Sequence, residues 1–112
     1  MRLITAKTIT IFAEEHAIAR QALADWRAAV EAAAWENADA VRASMGPSAR
    51  PIGQNRFVFE IKGNDFRLVA EIRYAAPAKK FSGIVYVQFV GSHAEYNSIN
   101  ALTVRPATRR PI

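Results

Sequence analysis

The stretch NRFVFEIKGNDFRLVAEIRY, residues 55–74, decides the fold. Phe57, Phe59 and Ile61 alternate with Arg56, Val58 and Glu60; Phe66, Leu68, Ala70 and Ile72 alternate with Arg67, Val69, Glu71 and Arg73. A period of two belongs to strands with one face in a core. Gly63-Asn64 between the runs suits a two-residue hairpin turn, with glycine taking the positive φ that such turns need. That turn sets the register: Glu60 falls opposite Arg67, and Arg56 opposite Glu71. One hairpin face is therefore apolar, and the other carries Arg56, Glu60, Lys62, Arg67, Glu71 and Arg73.

Further along, IVYVQFV, residues 84–90, is the most apolar run and is expected centrally in the sheet. It completes an antiparallel meander of strands 56–62, 66–74 and 84–90. Upstream, RLITA reads as a short strand, and Thr8 or Thr10 as the cap of a brief helix through IFAEEHA. Residues 17–35 contain no Gly or Pro, and Ile18, Ala22, Leu23, Trp26, Ala29 and Val30 fall on one helical stripe. Asn37 is placed to cap a helix over ADAVRASM, stopped by Gly46-Pro47. Residues 46–55 read as a loop from their Pro and Gly content. Helices grouped before strands indicate an α+β fold. Its sheet, an N-terminal strand plus the meander, is expected to be antiparallel and to pack on the N-terminal helices. Residues 1–102 read as a single domain; residues 103–112, with three arginines and two prolines, are expected to form a flexible tail.

Composition narrows the function. The chain has 112 residues and is 51% hydrophobic, enough for one real core. The absence of cysteine excludes disulfides, thiolate chemistry and cysteine-rich zinc sites. Without an apolar run of membrane-spanning length or a secretory leader, a cytoplasmic protein is expected. The net charge of +5 is uneven. Residues 1–45 hold five basic and six acidic groups, a net −1, whereas residues 46–112 hold ten basic and four acidic groups, a net +6. A basic strand-rich half points to a polyanionic partner, nucleic acid first.

Among the charged residues, the two cross-strand pairs need no further role. Lys62 and Arg73 have no acidic partner in this register and are candidates for phosphate contact, as an arginine fork and a lysine point charge both suit phosphate. Ser92-His93-Ala94-Glu95 matches a capping box, so a helix is expected to start at Ser92. That explains Ser92 and Glu95 but not His93, which sits in the first turn, where the helix dipole disfavours imidazolium. A neutral imidazole there is a candidate acid/base group. Tyr96, three residues on, shares its face. His16, the other histidine, is assigned no function. Two distant histidines without clustered carboxylates do not suggest a metal site, and no glycine-rich phosphate loop or G-x-S-x-G motif occurs.

The segments MRLITAKTI, ALADWRAAVEAAAWENADAVRA, NRFVFEIKGNDFRLVAEIRY and VYVQFVGSHAEYNSI together resemble the HigB toxins of bacterial type II toxin–antitoxin pairs, within the RelE-like group of mRNA endonucleases. The resemblance spans roughly residues 1–100 and rests on "KGN-x-[FY]-RL" combined with "VG-[ST]-HAEY". Threonine is usual at Ser92, aspartate at Asn97 and asparagine at Glu60, and the APAKKFSG loop is longer than usual. The resemblance implies a sheet packed on helices with RNA on its basic face, and cleavage of mRNA, often on the translating ribosome. It implies a HigA-like antitoxin with a helix-turn-helix domain, and no cofactor or metal. In the mechanism it implies, the RNA 2′-hydroxyl attacks the adjacent phosphate, Arg67, Arg73 and Lys62 stabilise the developing charge, and His93 moves a proton. Tyr96 stacks on a nucleotide or shares the proton, and Arg56 and Asn64 contact RNA. The competing reading is a module that binds RNA or ribosome without cutting.

Overall fold

The computed structural model describes residues 1–106. Strands β1 (Arg2–Ile4), β2 (Ala49–Gly53), β3 (Arg56–Ile61), β4 (Phe66–Arg73) and β5 (Ile84–Ser92) form one sheet in the order β1-β5-β4-β3-β2. Helices α1 (Ala6–Glu15), α2 (Arg20–Ala32) and α3 (Ala38–Met45) pack on one side of it, and α4 (His93–Asn97) follows β5. The class is α+β.

The hairpin register is the one the turn dictates, with Glu60 opposite Arg67 and Arg56 opposite Glu71. Gly63 has φ 64°, and the Asp65 N–H closes the turn on the Lys62 carbonyl at 3.2 Å. The alternating residues Phe57, Phe59, Leu68, Ile72, Val85 and Val87 are buried against Leu23, Trp26 and Val30 of α2. Trp26 meets Phe59 edge to face, ring centroids 5.3 Å apart, a preferred aromatic geometry. The Asn37 side chain accepts from the Ala40 N–H at 2.8 Å, and Gly46 ends α3 with φ 71°.

Several expectations are corrected. Residues 49–53, expected as loop, form β2, an edge strand whose Pro51 breaks the pattern that strand recognition relies on; proline is tolerated there because an edge strand has an unpaired side. β1 pairs with β5 in parallel, not antiparallel, because the helices carry the chain back before β5 begins. β5 lies inside the sheet between β1 and β4, but β4 holds the centre. Helix α1 starts at Ala6, ahead of the expected caps, and Ile18 lies in a 3-10 turn, 67% exposed, off the stripe.

The second face of the sheet is roofed. Val58, Val69 and Phe89 form a row across β3, β4 and β5 on the face opposite the helices, and both valines are fully buried. The cover is the chain after α4. The Arg56 Nη1 donates to the carbonyls of Ala101 (3.0 Å) and Val104 (2.8 Å), and Leu102 lies beside Gly53. Of the expected tail, Val104 is thus held to β3, and residues 107–112 lie outside the described residues.

Tyr74, just past β4, packs against the core, and burial raises its phenol above the usual 10.0. The folded protein therefore retains this proton where the unfolded chain has lost it. The associated stability is complete below 10.0 and is lost as pH rises through the folded value. Tyr74→Phe should reduce the fall in stability on the alkaline side, read as urea midpoints of both proteins from neutral pH to above 10.0.

Candidate active site

The β3–β4 turn and the start of α4 meet at one end of the sheet. Ser92 caps α4: its Oγ accepts from the Glu95 N–H at 3.1 Å, and the Glu95 carboxylate accepts from the Ser92 N–H at 2.7 Å. The His93 N–H donates to the Asp65 carbonyl at 3.2 Å, fixing the helix to the hairpin turn. Gly91, paired with Arg67, precedes the helix; a Cβ there would overlap the Phe89 ring and crowd the Glu95 carboxylate. The capping box and this close approach place His93 on the surface beside the turn.

The His93 ring is exposed, and its Nδ1 lies 3.2 Å from the Asn97 amide nitrogen, one helical turn on. Which of the two groups donates depends on the imidazole tautomer. Asn97 entered the sequence reading only as a departure from the family pattern; the i,i+4 spacing was the signal of its contact.

Arg67 is the most constrained cation of the cluster. It is 7% exposed, and Nε (3.1 Å) and Nη2 (2.6 Å) both donate to the Asn64 side-chain carbonyl. Its guanidinium lies 5.2 Å from the centroid of the half-buried Tyr96 ring. The expected ion pair with Glu60 does not form, although the residues are opposite in register. Asn64 intervenes instead: exposed at the turn, its side-chain carbonyl accepts from Arg67. Among the described residues Arg67 has no carboxylate partner. Lys62, exposed at the turn with φ 54°, completes the group.

The other two arginines lie elsewhere. Arg73 is six residues along β4 from Arg67, roughly 20 Å away at strand rise, and lies exposed with its guanidinium 6.0 Å from the Tyr86 ring centroid. Arg56 is 4% exposed, pairs with Glu71 at 3.7 Å and holds the C-terminal segment. Burial keeps its guanidinium below its ordinary value; Glu71 opposes that shift and Arg105 adds to it. So Lys62, Asn64, Arg67, His93 and Tyr96 come together, whereas Arg56 and Arg73 do not join them. The His16 ring stacks on Phe12 at 3.9 Å and meets Phe66 edge to face at 6.0 Å, within the aromatic packing of α1 against the sheet.

The cluster lies at the surface, with Lys62, Asn64 and His93 exposed around the largely buried Arg67. Two grooves of about 360 and 300 Å³ lie along α1, lined in part by Ile11, Phe12 and Pro106 and by Ile9, Leu23 and Arg27. Neither includes a residue of the cluster. Among the described residues no three His, Asp or Glu side chains gather as a metal site would need. The model of a family described as the RelE-like toxic component of a toxin–antitoxin system, HigB toxin, matches residues 19–99. The chain belongs to the HigB toxin family. Membership makes it the toxic component of such a system, with an antitoxin as its counterpart. The match covers α2, α3, the hairpin and α4, and so every residue of the cluster. No curated protein matches the HigB-family chain. Among the described residues no helix is long and apolar enough to cross a membrane.

Arg56 should behave as a structural residue. Arg56→Ala removes a buried ion pair and two charged hydrogen bonds, and is expected to destabilise the fold by about 3 kcal/mol. Urea unfolding measures this.

Proposed function

We propose that this toxin is an endoribonuclease that cuts mRNA, in association with the ribosome, and so arrests translation and growth. The observation that carries the reading is Arg67: a cation largely removed from water, fixed by Asn64 and Tyr96, with no carboxylate in ion-pair contact among the described residues, beside an exposed histidine. An uncompensated cation in that setting is unfavourable in the free protein. A phosphate completes it. A surface site suits a polymer substrate, and the basic excess of residues 46–112 suits an RNA strand.

The RNA 2′-hydroxyl attacks the adjacent phosphorus in line. Its oxygen bonds to phosphorus as the bond to the next nucleotide's 5′-oxygen breaks. The products are a 2′,3′-cyclic phosphate and a 5′-hydroxyl. Arg67, through the Nη1 edge that Asn64 leaves free, and Lys62 stabilise the charge gathering on the non-bridging oxygens. His93 carries one proton, taken from the 2′-hydroxyl or given to the leaving 5′-oxygen, and water exchanges the other. Tyr96, half-buried beside Arg67, stacks on a base or shares the proton transfer. The toxin acts in the cytoplasm, and its antitoxin is a HigA-like helix-turn-helix protein. An unrestrained mRNA nuclease would stop its own host's growth.

His93→Gln keeps the side chain's hydrogen bonding and removes its titration. It is expected to fold and bind RNA as the wild type does, and to cut about 10²–10⁴-fold more slowly. Cleavage of mRNA, on ribosomes and free, is measured beside a melting curve. Wild-type cutting by His93→Gln overturns the acid/base role; a wild type that binds RNA and never cuts it leaves the non-catalytic module.

A further inference from the structure

The end of the sheet remote from His93 carries a second basic surface. Arg2, Ile84 and Arg73 are aligned by register across β1, β5 and β4, so the two arginines share one face. At the usual strand spacing they stand about 10 Å apart. Tyr86 lies beside them under the Arg73 guanidinium. The β4–β5 connection extends the surface. It is closed by paired backbone bonds between Ala76 and Phe81, at 2.8 and 3.1 Å, and it projects Lys79, Lys80 and Phe81. All three are exposed, and Phe81 is one of few large apolar side chains outside the core. Lys80 has φ 57°, a backbone position that favours glycine. Among the described residues none of these four cations has a carboxylate partner.

Cations without a carboxylate partner, interleaved with an exposed ring (Phe81) and a half-buried one (Tyr86), are the elements of a single-strand platform: charges follow the phosphates and rings stack on bases of any sequence. We propose that Arg2, Arg73, Lys79, Lys80, Phe81 and Tyr86 form a second RNA-binding surface, which holds the strand at a distance from the bond being cut. The inference rests on the reading of RNA as the partner. It gives Arg73 a role its position allows, since it lies roughly 20 Å from Arg67 along β4. Between the two surfaces the sheet is crossed by the C-terminal segment, which carries exposed Arg105 over Arg56. Arg67, Arg73 and Arg2 share one face of the sheet, with Arg105 on the segment that crosses it, and the lysines lie in the connection that follows Arg73. RNA is favoured over an acidic protein because the rings are spaced among the charges and not gathered into an apolar anchor.

The test uses the full chain and a single-stranded 2′-O-methyl oligonucleotide, which lacks the attacking hydroxyl. Binding is measured against salt for wild type, the combined variant Lys79→Ala, Lys80→Ala, Phe81→Ala, and Arg73→Gln. The combined variant is expected to bind at least about tenfold more weakly, with its log–log salt slope flatter by about 1.4, two phosphate contacts of a single strand. Arg73→Gln should flatten it by about 0.7. With saturating cleavable RNA, the combined variant should cut at the wild-type single-turnover rate. Wild-type affinity and slope in both variants overturn the second surface while leaving the nuclease reading intact. So does unchanged RNA binding with lost capture of an acidic protein partner. Conversely, a wild type that binds through this surface but never cuts supports the surface and removes the nuclease.

Discussion

The candidate site depends on how Arg67 is held. Its guanidinium is fastened on one edge by the Asn64 carbonyl and lies close to the Tyr96 ring. Both are neutral. A carboxylate in either place would satisfy the cation and close the site to phosphate; a neutral amide orients it and leaves its charge unopposed. The surrounding elements serve this arrangement. The tight turn presents Asn64, the Ser92–Glu95 capping box sets the start of α4, and the bond from His93 to Asp65 locks the two together. Gly91 permits the close approach of Phe89 that brings α4 down onto the sheet.

Three arginines on one face of a hairpin therefore have three different physical roles. Arg56 has an acidic partner and two carbonyl acceptors, and acts as a rivet for the C-terminal segment. Arg67 has neutral orienting contacts and, among the described residues, no carboxylate in ion-pair contact, a setting that suits an anion. Arg73 is exposed at the far end of its strand with a single aromatic neighbour. Burial and partner chemistry, not residue type or strand parity, separate them.

Local rules carried the sequence reading where the structure is local. A two-residue turn fixes a hairpin register, so the facing pairs were legible, and so were the Asn37 cap and the Ser92 capping box. Parity on a strand says which residues share a face but not how far apart they lie, which is why Arg67 and Arg73 were read as one set. The register also suggested a Glu60–Arg67 ion pair, yet a side chain from the turn reached Arg67 instead. The roof over Val58 and Val69 was hidden because its anchor, Arg56, binds backbone carbonyls some 45 residues away, which leave no mark in composition. β2 was missed because an edge strand tolerates the proline and glycine that elsewhere signal a loop.

Arg67→Met tests the central claim most directly, with thermal unfolding and RNA cleavage measured side by side. Methionine fills a similar volume without charge, and replacing an uncompensated buried charge by an apolar group is neutral or stabilising. The variant is expected to unfold no more easily than the wild type, while cleavage falls by about 10²-fold or more, as for loss of one oxyanion donor. A variant destabilised by several kcal/mol whose folded fraction still cuts at the wild-type rate would contradict this and make Arg67 a second Arg56.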